Sequence, residues 1–171
     1  MIGGEVLDVV DKFDRVIGKS TRSEIHQLGL LHRSVHLLVF DDSGRLLLQK
    51  RSMNKDEAPG RWCSSVAGHL DSGESYDDCV VREAEEEIGL KLDVAPEKMF
   101  KIEASYETQN EFTWAYRVIA NGPFSYDRSE VSELRWFPVN EVKQKIQESG
   151  SDFSSSFEVI FHLLMSLNRE G

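Results

Sequence analysis

Gly68-His-Leu-Asp-Ser-Gly-Glu74-Ser-Tyr-Asp-Asp-Cys-Val-Val-Arg82-Glu83-Ala84-Glu85-Glu86-Glu87-Ile88-Gly89-Leu90 is the stretch on which the reading of this chain turns. Residues 75–88 carry a helical pattern, which Gly89 is placed to end. At 3.6 residues per turn, Glu83, Glu86 and Glu87 fall within a sector about 100° wide, and Val81, Ala84 and Ile88 form an adjacent apolar stripe. One side packs and the other gathers carboxylates, while Glu85 points away. Like charges three and four positions apart destabilise a helix by about 0.2–0.5 kcal/mol per pair, and the dipole disfavours anions near a C-terminal end. A divalent cation reverses that penalty. Mg2+ suits such a site because it takes hard oxygen ligands and is commonly shared between carboxylates and substrate phosphates; Mn2+ is the natural substitute. Arg82 is placed to reach Glu86 at i+4. The ordinary alternative for a glutamate run is a solvated acidic face.

Outward from this stretch the chain alternates short strands and polar turns. Residues 5–10 and 15–19 read as an N-terminal β-hairpin around a turn at 11–14, and residues 34–40 and 45–50 as a second hairpin around Asp41-Asp42-Ser43-Gly44. A polar loop at 52–60 precedes a short strand at 62–67 and a loop at 68–74. Strands follow at 99–107, 111–120 and 134–137. Pro138 opens a helix running to about residue 147, and a final helix at 157–168 has a capping box in Ser155 and Glu158. Mixed strands with few helices predict an α+β fold, an α/β/α sandwich with a central mixed sheet.

The chain has 171 residues, 40% of them hydrophobic, enough for one unit over 1–171 with a core at about 33–148. A net charge of −10 opposes binding to a nucleic acid polymer or an anionic membrane, so an anionic substrate must be held by local cations. Cys63 and Cys79 are the only cysteines, and no apolar leader or span is evident, so a cytoplasmic location is expected. Oligomeric state is left open, a homodimer included.

The 68–90 stretch resembles the Nudix box: Gly, five residues, Glu, seven residues, Arg-Glu, an aliphatic, any residue, Glu-Glu, any residue, Gly, an aliphatic. Gly68, Glu74, Arg82, Glu83, Glu86, Glu87 and Gly89 occupy its fixed places, and Ala84 is smaller than the usual aliphatic. At ordinary composition, seven such matches coincide by chance about once in 10⁸ to 10⁹ starts. The resemblance implies a Nudix fold and a small-molecule diphosphate substrate. Glu83, Glu86, Glu87 and the Gly68 carbonyl would hold metal, Glu74 would support the site and Arg82 would orient it. The general base does not carry over; Glu86 is the first choice, with Glu130 or Glu133 second.

A second resemblance concerns residues 32–69. Leu31-His32, Lys50-Arg51, Lys55, Trp62 and Ser65-Val66-Ala67-Gly68-His69 are similar to type 1 isopentenyl-diphosphate isomerases, which share the fold. It implies that Arg51 and Lys55 contact a diphosphate, and it places His32, His69 and Glu111 where those isomerases build an additional metal site. A lone histidine is more often a structural hydrogen-bonder, and His36 and His162 read that way. Phe112, Trp114 and Tyr116, at a spacing of two, read as one buried strand face. The isomerases carry a catalytic cysteine before Gly-His, where this chain has Ala67. Cys63, along an extended strand, would stand about 13 Å from that place. The expectation is metal-dependent hydrolysis of a diphosphate linkage by water attack at phosphorus, with an isomerase-like enzyme or a non-catalytic ligand-binding module as the alternatives.

Overall fold

The computed structural model describes residues 4–169, so the ends of the expected 1–171 unit lie outside the described residues. An antiparallel hairpin, β1 (Val6–Val10) and β2 (Val16–Thr21), leads into helix α1 (Arg22–Leu28). Strands β3 (His32–Phe40), β4 (Leu46–Arg51), β5 (Trp62–Cys63) and β6 (Val66–His69) precede helix α2 (Tyr76–Ile88). Then come β7 (Glu97–Ile102), β8 (Glu111–Ile119), β9 (Val131–Phe137), α3 (Val139–Ser149) and α4 (Ser155–Arg169).

Seven strands form one mixed sheet in the order β5-β4-β3-β8-β7, with β6 also on β3 and β9 also on β4; β3 and β8 run parallel. Alternate residues of β3 feed two cores. Leu38 and Phe40 pack with Val142 of α3 and with Phe157, Ile160, Phe161 and Leu164 of α4. Val35, Leu37 and Val39 pack with Cys79, Val80, Ala84 and Ile88 of α2. Each fully buried side chain of this kind contributes about 1.5–3 kcal/mol, so helices are held on both faces and the expected sandwich is present. Phe112 and Tyr116 are buried, and the Tyr116 hydroxyl donates to Asp77 at 2.6 Å.

The second hairpin departs from expectation. Strands β3 and β4 pair in register only at Phe40↔Leu46; beyond that point they diverge, and β6 takes the β3 edge from Ser34 to Leu37. The segment expected as one strand over 62–67 therefore breaks at Ser64-Ser65. Its first half pairs with β4 and its second with β3, and Gly68 and His69, expected in a loop, are strand residues. The split leaves buried backbone groups that need partners. Ser65 supplies them: Val39 N–H donates to its Oγ at 2.8 Å, and that hydroxyl donates to the Leu47 carbonyl.

Two helix starts also differ. Helix α1 was not expected, yet Thr21 caps it by accepting from Glu24 N–H at 3.3 Å, and Gly29 ends it at φ 65°. Helix α4 starts two residues early, because Ser154 rather than Ser155 accepts the cap hydrogen bond, from Phe157 N–H at 3.3 Å.

Candidate active site

Where β3 and β4 part, a cleft of about 340 Å3 opens, and Gly68, Glu83, Glu86 and Glu87 line it together with Arg51 and Lys55. Glu85 is exposed and outside the lining. Ser75 caps α2 by accepting from Asp78 N–H at 3.1 Å, and Gly89 ends it at φ 68°, which fixes the phase of the carboxylates. The side chain of Glu83 lies so close under Gly68 that a Cβ there would meet its Cδ at 2.3 Å, so any larger residue at position 68 would displace the Glu83 carboxylate. Glu87 fills the gap between β4 and β6, accepting from Ala67 N–H at 2.8 Å and from the Gln49 amide at 3.2 Å. Burial pushes Glu83 up to about 7, and burial together with the Glu83 charge pushes Glu87 up to about 8. Oxygen donors this crowded and reluctant to ionise fit a divalent cation, whose charge removes both penalties.

Arg82 holds this group in place. Its guanidinium forks onto Glu74 (2.7 and 2.9 Å) and donates to Glu83 at 2.8 Å, Glu86 at 3.0 Å and the His69 carbonyl at 3.1 Å. Burial raises Glu74, but these hydrogen bonds outweigh it and leave the carboxyl below its ordinary value. Neither Glu74 nor Arg82 lines the cleft; Arg82 meets it only through Glu83, Glu86 and the His69 carbonyl.

Within the same lining, Arg51 donates from Nε to the Glu57 carbonyl at 2.7 Å, and Lys55 is paired with Glu130. Arg22 of α1 also lines the cleft; its Nε is sealed without a partner, and its nearest carboxylate oxygen, on Asp56, is 3.6 Å away. Glu130 is therefore in the cleft. Glu133, its expected alternative as a base, is not: it pairs with Arg135 at 2.6 Å on the outer strand β9.

The fold gathers His32, His69 and Glu111 and adds His26 from α1, with one candidate ligand atom from each within 4.8 Å of the others. His32 Nδ1–H donates to the Leu30 carbonyl at 3.0 Å, and His26 Nδ1 is 2.8 Å from Glu57. Those contacts aim the two Nε2 atoms inward, where both are buried without a partner. His32 Nε2 lies 3.3 Å from Glu111 in ion-pair range but without hydrogen-bond geometry, whereas His69 Nε2 is bonded to the same oxygen at 2.6 Å. Imidazoles whose second nitrogen is oriented by a carboxylate or carbonyl, with the first left orphaned, fit a transition-metal ion. Burial lowers His69 but the Glu111 carboxylate raises it further, and His69 in turn helps hold Glu111 well below the carboxylate range despite burial.

Ala67 and Cys63 both line the cleft. The expected 13 Å separation presupposed one extended strand, and the turn at Ser64-Ser65 removes that premise. Ala67 still offers no ionisable atom, and burial pushes the Cys63 thiol up. Residues 22 and 26 escaped the sequence reading because α1 did; the Thr21-x-x-Glu24 cap with Gly29 beyond was the available signal.

The family model described as NUDIX domain matches residues 30–157. An isopentenyl-diphosphate Delta-isomerase of Burkholderia multivorans is 34% identical over 94% of this chain and 91% of its own length. An uncharacterized Nudix hydrolase of Streptomyces coelicolor is 35% identical over 84% of this chain and 80% of its own. Among solved structures, a Deinococcus radiodurans protein has the same fold, with a TM-score of 0.75 and 24% identity over 85% of this chain and 90% of that one.

Proposed function

The chain belongs to the Nudix family, and on that premise we propose that it is a metal-dependent hydrolase of a small organic diphosphate, cleaving by water attack at phosphorus. The observation that carries this reading is the convergence of Gly68, Glu83, Glu86 and Glu87 with the cations Arg51 and Lys55 on one cleft. The carboxylates and the Gly68 carbonyl would hold Mg2+. When bound, that ion supplies Lewis-acid polarisation of a phosphoryl oxygen and eases ionisation of water.

The chain's own groups do the rest. Arg51 and Lys55 offset the charge of the diphosphate in an otherwise acidic protein, Arg51 as a fork and Lys55 as a mobile point charge. Glu86 has the most exposed carboxylate of the three, 59% accessible at the side chain, which supports it as the group that would accept the proton of the attacking water. Arg82 fixes its orientation through the 3.0 Å hydrogen bond.

The His26, His32, His69 and Glu111 cluster favours a second reading, an isomerase-like enzyme with a transition ion such as Mn2+ at the imidazoles, in keeping with the isomerases among its relatives. Ala67 counts against it, since a methyl group cannot exchange a proton with substrate carbon. A purely ligand-binding module needs no complete carboxylate set. The deciding experiment incubates the protein with nucleoside diphosphate derivatives, dinucleotides, nucleoside triphosphates and prenyl diphosphates in Mg2+ or Mn2+ and identifies both products. Cleavage that EDTA abolishes is expected; cleavage undiminished by EDTA sinks the metal-dependent reading.

A further inference from the structure

On β3 the residues facing the α3 and α4 side change character along the strand. Phe40 and Leu38 belong to the core, but His36, Ser34 and His32 continue the same face as polar groups. The imidazole of His36 lies in one row of the sheet between Ala67 on β6 and Ala115 on β8. Methyl groups are its only flanking side chains in that row, and on the Ala67 side the row borders the cleft, which both Ala67 and His36 line. Ser64 Oγ holds the ring at Nδ1, 2.8 Å away. Nε2 has no hydrogen-bond partner among the described residues, and unlike the Nε2 atoms of His26 and His32 it is not sealed. Burial lowers this histidine to about 4, so at neutral pH it presents an uncharged polar edge.

The surrounding lining fits the same kind of ligand. The lining that His36 shares includes Ser34, Cys63, Ala67 and Ser154, and among the described lining residues there is no Phe, Tyr, Trp, Leu, Ile, Val or Met. A hydrocarbon chain would find little apolar surface to bury there, and a base would find no Phe, Tyr or Trp to stack on. A hydroxylated group would find hydrogen-bonding partners.

We propose that His36 is a substrate-binding residue whose Nε2 hydrogen-bonds a hydroxyl of the organic group attached to the diphosphate, beside Ala67. This rests on the diphosphate reading above and adds to it the part of the substrate that distinguishes one diphosphate from another.

Calorimetry of the full chain with Mg2+ tests it with two probes: imidodiphosphate, which has no organic group, and α,β-methylene-ADP with its 2′-deoxy and 3′-deoxy forms. The native protein should bind α,β-methylene-ADP more tightly than imidodiphosphate, and one of the deoxy forms should bind about three- to tenfold more weakly, the scale of one neutral hydrogen bond. His36→Phe should remove that discrimination while leaving imidodiphosphate affinity within about twofold. His36→Gln, whose amide reaches roughly the position of Nε2, should restore part of it. The deoxy comparison uses the native protein, so it stands even if a variant fails to fold. Equal weakening of both probes in His36→Phe would make His36 a phosphate contact and overturn the proposal. So would native affinity that is indifferent to both hydroxyls. Failure of the native protein to bind either probe would instead bring down the diphosphate reading, and the proposal with it.

Discussion

Arg82 spends its donors on Glu74, Glu83, Glu86 and the His69 carbonyl, so these three carboxylates are a single positioned set and not independent surface charges. Replacing Glu87 by Gln keeps its shape and its contact with Ala67 N–H but removes the charge that a cation needs. Turnover of the diphosphate found in the product screen should fall at least about 100-fold, the usual scale for losing acid–base or electrostatic help, and Glu86→Gln should behave likewise. Glu85, exposed and outside the cleft, is the control, and Glu85→Gln should retain most activity. Equal losses at 85 and 87 would show that the charge of the helix matters and its facing does not. In the same cleft, Arg51 already donates from Nε to the Glu57 carbonyl, which leaves its terminal nitrogens for a phosphate. Arg51→Lys preserves charge but not the planar fork, so KM should rise several-fold with kcat less affected; an unchanged KM would return Arg51 to an ordinary strand-end cation.

At the scale of elements, the N-terminal hairpin is fastened to the sheet through one carboxylate at its turn. Asp14 sits at φ 61° and accepts from Arg33 Nε at 2.6 Å, Tyr76 hydroxyl at 2.7 Å and Lys101. Strand β1 adds Asp8, which accepts from Ser72 hydroxyl at 2.7 Å and Gly73 N–H at 3.0 Å, gripping the loop that leads into α2. The hairpin thus carries α1, and with it Arg22 and His26, to the cleft. Burial raises Asp14, but its three partners outweigh that, and its carboxyl lies below the ordinary value. A lowered folded-state value means stability that is present above the unfolded value, about 3.9, and is lost as pH falls through the folded one. Asp14→Asn, which tolerates the left-handed backbone, should therefore cost about 1–3 kcal/mol at neutral pH, seen in chemical denaturation. The gap from the native protein should hold from pH 7 to 5 and close below about pH 4. A gap that persists undiminished in acid would mean that packing, not charge, ties the hairpin down.

At the scale of the whole molecule, hydrolysis and isomerisation differ in where the cleft must place a proton, at water beside phosphorus or at carbon. Ala67 leaves the second without its expected donor, while the α2 carboxylates equip the first. The protein should leave isopentenyl diphosphate unisomerised, and reaction in ¹⁸O-water should label a phosphate product. Conversion to dimethylallyl diphosphate with no labelled phosphate from any diphosphate tested would reverse the assignment. The sequence by itself determined the family and the carboxylate face of α2, because helical phase is local: Ser75, Gly89 and a 3.6-residue period suffice to set Glu83, Glu86 and Glu87 on one face and Glu85 on another. It also determined the sandwich, since mixed strands with few helices between them predict an α+β fold. Only the tertiary structure decided which distant residues share the cleft. The β3–β4 split is bridged by a serine that bonds both strands, and with it come the break at Ser64-Ser65 and the placing of His36 beside Ala67. His26 reaches His32, His69 and Glu111 through a short helix hung on the hairpin. Such meetings depend on strand pairing and on side-chain hydrogen bonds between residues far apart in the chain, which local pattern does not encode.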